Sequence, residues 1–261
     1  MDEGGRVLVT QITLSRLPRR QAAEMTGRVA HGKALPPEVV EQVVAKTDGV
    51  PLFVEELTKM VLESDLLQER AAATMALATE HDFPLWCAMG TWLYGWALAE
   101  QGQEEAGMVQ IRQGLTAWRA TGAAVVLPTY LATLAEVYGK AGQWEDAPAL
   151  LREALALVED TGERGWEAEL YRLQGVVLLQ QAPPDASRAA ACFQQALNVA
   201  GRQRAKSLEL RAAMSLSWLW QGQGKRAEAC ELLAPVYGWF TEGFDTADLQ
   251  EAKALLDELA G

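Results

Sequence analysis

From residue 84 to the C-terminus the chain returns to the same marks about every 40 residues, and this self-similarity decides more than any other property what it can become. Gly102 and Gly142 stand 40 residues apart, as do the Thr-Gly pairs at 121-122 and 161-162. The small residues Gly107, Ala147, Ala189 and Ala229 follow one another at intervals of 40, 42 and 40. The longer interval contains Pro183-Pro184, a natural two-residue insertion in a turn. Between these marks Ala, Leu, Glu, Gln and Arg dominate, and apolar residues recur at three and four spacings. Short breakers at 101–103, 139–143 and 222–225 each carry a glycine able to end one helix and reverse the chain into the next. A unit of two helices and a turn cannot bury its apolar stripe alone, so such units must stack. The expected fold is therefore all-α, an array of about four helical hairpins, with residues 246–259 as a closing helix and residues 68–82 as a leading one.

The residues inside the units resemble the tetratricopeptide repeat. The second unit carries Leu131, Leu134-Ala135, Tyr138, Gly142, Trp144, Ala147, Leu151 and Ala154-Leu155 in that pattern. Looser versions are Tyr94-Gly95, Leu98, Gly102, Gly107, Ile111 and Gly114-Leu115 in the first unit, and Tyr171, Gly175, Leu178, Ala189, Phe193 and Ala196-Leu197 in the third. The fourth keeps Leu216-Ser217, Trp220, Gly224, Ala229 and Leu233. Small residues at these points let two helices approach closely, and the bulky ones fill the gap between neighbouring hairpins.

The N-terminal part reads differently. Residues 7–14 are β-branched and strand-like, 18–31 form an amphipathic helix and 37–46 a second one. Residues 46–62, beginning Lys46-Thr-Asp-Gly-Val-Pro-Leu-Phe, resemble the distal end of the nucleotide-binding module of STAND-type AAA-like signalling ATPases, which often accompany nucleotidyl cyclase or DNA-binding domains and helical repeats. The resemblance implies that residues 1–67 are a small α(+β) remnant of such a module, ahead of repeats at 68–261. It also implies that Gly49 and Pro51 are the vestige of an adenine contact. A plain helix stop and restart, with proline in the first turn, accounts for the same two residues. The segment from Gly27 to Lys33 fits the first seven positions of a phosphate-binding loop, but Ala34 stands where a magnesium-binding hydroxyl belongs and Pro36-Pro37 follows in place of a helix. Without that loop or an acidic strand ahead of Gly49, the chain reads as a truncated or internally deleted relative of the family.

Composition narrows the functions. Acidic residues outnumber basic ones 35 to 23, a formal charge of −12 that repels phosphate backbones and anionic membranes, so neither nucleic acid nor a membrane is expected as partner. Cys87, Cys192 and Cys230 are far apart and lack the pairing of a zinc site or a disulfide framework, which suits a cytoplasmic protein. His31 and His81 stand 50 positions apart without a repeating acidic or cysteine companion, and the adjacent pairs Glu55-Glu56 and Glu104-Glu105 diverge by about 100° on a helix, so no catalytic, metal or cofactor site is expected. What remains is binding. Counting back from each turn puts Trp92, Trp96, Arg172, Arg211 and Trp218 on the first-helix face that lines the inner curve of tetratricopeptide arrays, where aromatic and arginine side chains are common anchors for a protein or peptide. Burial of the tryptophans between hairpins is the competing reading. The expected function is a non-catalytic interaction module of a signalling ATPase; the alternative is a nucleotide-responsive switch segment whose phosphate loop is supplied elsewhere.

Overall fold

The computed structural model describes residues 17–29, 37, 40, 41, 44 and 51–261. The strand expected at 7–14, Lys33 of the loop-like segment and Gly49 lie outside the described residues. Two compact units are formed, residues 1–65 and 66–261.

In the first unit, helix α1 (Arg19–Val29) falls within the helix expected at 18–31. It buries Ala22 with Val44, flanked by Leu17, Met25 and Val40. The buried Thr26 hydroxyl donates to the Ala22 carbonyl at 3.0 Å. Helix α2 (Pro51–Glu80), whose residues divide between the two units after Asp65, opens on Pro51, where a fixed φ and a missing N–H cost nothing. It then runs for 30 residues without a break. Residues 68–82 are therefore not a separate helix, contrary to the sequence reading. The run Leu66-Leu67-Gln68-Glu69-Arg70-Ala71-Ala72 contains no glycine, proline or capping residue to stop it.

The second unit is a stack of hairpins. Helices α3 (Pro84–Glu100) and α4 (Glu104–Ala120) form the first, α5 (Leu127–Lys140) and α6 (Ala147–Thr161) the second. Helices α7 (Glu167–Gln180) and α8 (Ala186–Gln203) make the third, α9 (Lys206–Gly222) and α10 (Arg226–Tyr237) the fourth, and α11 (Ala247–Ala260) closes the array. Each helix packs on the one before and the one after it. The first helices also touch one another, α3 with α5, α5 with α7, α7 with α9 and α9 with α11, so they share one continuous layer. Among the described residues there is no strand.

The periodic glycines set the turns. Gly102 and Gly142 adopt φ of 80° and 72°, a left-handed conformation that side-chain-bearing residues rarely take. The following amides close the same bond in each case, Gln103 N–H to the Leu98 carbonyl at 2.9 Å and Gln143 N–H to Tyr138 at 2.8 Å. At α7 to α8 the glycine is missing, and the Pro183-Pro184 insertion leads to Asp185, whose side chain accepts from Arg188 N–H at 3.0 Å and caps α8.

Packing follows the small-and-bulky pattern. The backbones of α3 and α4 meet at Gly95, Gly107 and Gly114, while the Phe193 ring of α8 lies over Gly175 of α7. Ile111, Leu131, Leu151, Leu170, Phe193, Leu216 and Leu233 are fully buried along the axis of the stack. Trp92 belongs to this core: it is 7% exposed and stacks on Tyr130 with ring centres 4.3 Å apart, and Trp118 meets the same Tyr130 edge-on at 5.2 Å. Burial pushes the Tyr130 phenol up to about 12, so this ring stays neutral through the physiological range and serves as packing surface.

Candidate functional site

The layer of first helices carries a chain of charges built around one buried carboxylate. Glu169 on α7 is 1% exposed. Arg172, one turn on, grips it with two hydrogen bonds, Nε to Oε2 at 2.9 Å and Nη2 to Oε1 at 2.7 Å. From α9, Arg211 reaches the same Oε1 with Nη1 at 2.9 Å. The remaining nitrogens of Arg211 point outward along the layer, Nη2 to Glu136 of α5 at 3.7 Å and Nε to Asp248 of α11 at 3.8 Å. One guanidinium thus links four successive first helices, and such links are possible only because those helices form one layer. Burial pushes the Glu169 carboxyl up, but the charges of Arg172 and Arg211 and the Arg172 hydrogen bonds outweigh it and hold the group below its ordinary range. Glu251, a turn beyond Asp248 on α11, is held above its ordinary range by desolvation and by Asp248, against the pull of Arg211 and Arg172.

Beside this network lies an open cleft of about 640 Å³ between α7 and α9. Arg172 stands at its edge, Val176 and Leu179 form the α7 wall, and Trp218 and Leu219 the α9 wall, with Phe193 of α8 as floor. On α9, Arg211, Ser215 and Trp218 follow at spacings of four and three, which aligns them on one stripe. Trp218 remains 44% exposed, while Leu216 and Ser217 beside it point into the core.

Of the five residues singled out from the sequence, the fold brings three together. Arg172 and Arg211 meet on Glu169, and Arg172 and Trp218 line one cleft. Trp92 and Trp96 are on α3, two hairpins from α7 and three from α9. Trp92 is not an accessible anchor, because its stripe with Ala88 faces α4 and α5 and its ring stacks on Tyr130. Trp96 is half-buried, stacks on Trp92 and donates its indole N–H to Glu100 at 3.0 Å, and Lys140 of α5 pairs with the same carboxylate. Pro51 is the first residue of α2. Glu169, Glu136 and Asp248 were not anticipated. The spacing Glu169-x-x-Arg172 was a usable signal for the central pair, since residues three apart share a helix face. Among the described residues, no group of three His, Cys, Asp or Glu side chains is placed to hold a metal ion. No described helix is long and apolar enough to cross a membrane.

The described residues are thus all-helical, a stack of helical hairpins consistent with a helical repeat. No family profile matches the chain. Over 212 residues, 81% of this chain, it is 28% identical to an uncharacterized protein of Rhizobium meliloti (strain 1021), and the match takes in 19% of that protein's length. The chain thus spans about a fifth of the length of the relative it matches.

Proposed function

We propose that the chain is a tetratricopeptide-like, non-catalytic interaction module of a cytoplasmic signalling protein related to the STAND ATPases, and that it binds a protein or peptide in the cleft between α7 and α9. The observation that carries this reading is Trp218, a large ring left 44% exposed on the wall of an apolar cleft while Leu216 and Ser217 just before it on α9 are buried. Exposed apolar surface next to fixed polar groups is the usual mark of a contact site. The rigid Glu169, Arg172 and Arg211 cluster gives that site a preorganised edge. The resemblance of residues 46–62 to the signalling ATPases supports a regulatory role, and the match to part of a much longer protein fits a module of a longer chain.

A random peptide library selected against the full chain should enrich binders whose capture is abolished by Trp218→Ala. That variant should keep its helical circular dichroism signal and lose only about 1 to 2 kcal/mol of stability, the share of the ring that is buried. Trp92→Ala should instead cost about 3 to 5 kcal/mol of folding. A library that yields only binders indifferent to Trp218→Ala would contradict the assignment of the cleft.

A further inference from the structure

The charges around the cleft say what kind of partner fits it. Both guanidinium groups of the site are already engaged: Arg172 spends Nε and Nη2 on Glu169, and Arg211 directs its three nitrogens at Glu169, Glu136 and Asp248. An anionic ligand would meet guanidinium groups whose charge is already matched by Glu169, Glu136 and Asp248, and would add to the carboxylates around them. The carboxylates are in the opposite position. Four of them, Glu136, Glu169, Asp248 and Glu251, face two arginines, so the network carries a formal surplus of two negative charges. Glu136 and Asp248 keep 31% and 43% of their side-chain surface open to solvent, with room for further donors. The whole chain adds a formal charge of −12, which attracts cations at long range.

The shape of the site points the same way. The apolar walls belong to two neighbouring first helices, Val176 and Leu179 on one and Trp218 and Leu219 on the other. A third helix is the element whose ridge of side chains matches a groove between two helices. We propose that the occupant is a basic amphipathic helical segment of a partner protein. Its apolar face lies against Val176, Leu179, Trp218 and Leu219, and its lysine or arginine side chains meet Glu136, Asp248 and Glu251. This rests on the reading of the cleft as the binding site and adds the chemistry of what enters it.

The test uses three synthetic peptides of equal length titrated into the full chain: a Lys/Leu amphipathic helix, the same peptide with glutamate at every lysine, and a scrambled isomer of the first without an apolar stripe. The amphipathic basic peptide should bind at least tenfold tighter than either of the others and weaken as salt is raised. Trp218→Ala should weaken it tenfold or more. D248N/E251Q should weaken it about fivefold, whereas E105Q/E231Q, which removes the same number of charges from the second helices α4 and α10, should leave it within twofold. Equal loss in the two double variants, or equal binding of the scrambled isomer, would reduce the effect to general charge attraction and overturn the proposal. Tighter binding of the glutamate peptide that still depends on Trp218 would overturn the proposal and leave the cleft assignment standing. Binding of all peptides that ignores Trp218→Ala would overturn both.

Discussion

Glu169→Ala should destabilise the protein by about 3 to 5 kcal/mol, the range for removing one partner of a buried ion pair. The loss comes less from the missing carboxylate than from what it leaves behind. Arg172, with 13% of its side chain exposed, would stay buried with both of its fixed donors unmatched, and Arg211 would lose its shortest contact. Glu169→Gln keeps the shape and one acceptor oxygen and should cost less. The pH dependence separates this network from ordinary packing. Because the carboxyl is held below its ordinary value of 4.5 in the folded state, its stabilising contribution is complete above that value and is lost as pH falls through the depressed folded one. The gap in unfolding free energy between wild type and Glu169→Gln should be constant from neutral pH down to about 5 and narrow below about 4.5. A gap that stays constant into the acid range would mean that Glu169 acts only as a space-filling residue.

Gly107→Leu should cost about 3 kcal/mol, at the upper end of what overpacking usually costs. The first side-chain carbon at this position would stand 2.7 Å from the Gly95 carbonyl oxygen and 2.9 Å from the Ala99 side chain. Backbone cannot yield as a flexible side chain does, so α3 and α4 would have to separate. That separation would also loosen the Trp92, Tyr130 and Trp118 stack beside it. Gly201 on α8 supplies the control, since nothing lies within 4 Å of a carbon added there. Gly201→Ala should stabilise the protein by several tenths of a kcal/mol, up to about 1, through helix propensity alone. Opposite signs for these two glycines in urea unfolding are the expected result, and equal effects would show that the close approach of α3 and α4 is misplaced.

Gly107, Gly95 and Gly114 were legible in the sequence because each hairpin repeats its close approach at the same point, which leaves a periodic trace of small residues. The turn glycines Gly102 and Gly142 were legible for the same reason. The charge network was not, because its members stand at 136, 169, 211 and 248, at irregular intervals that only the stacking of first helices brings side by side. Its one local trace is the pairing of Glu169 with Arg172 within a single turn. Trp92 illustrates a different limit. It stands ten residues before Gly102, the place that Ala132 and Met214 hold before Gly142 and Gly224, and all three are buried between hairpins. The unbroken α2 has no trace in the repeat pattern, which covers its C-terminal half alone; the sign of its continuity is the lack of glycine or proline between Pro51 and Glu80.

The proposed binding surface is the cleft at Trp218 rather than any of the other exposed aromatic rings, Phe83, Trp86, Trp166, Trp239 and Phe244. Trp239, in the link between α10 and α11, is 58% exposed, packs edge-on against Phe240 and lies under Lys206, so it offers a fair comparison outside the cleft. The most direct measurement replaces each tryptophan in turn by the photo-reactive residue benzoylphenylalanine and irradiates the full chain with a selected binding peptide. A crosslinked product from position 218 that excess unlabelled peptide suppresses is the expected result, with none from position 239. Crosslinking from 239 with none from 218 would contradict it and move the binding surface to the closing end of the repeat.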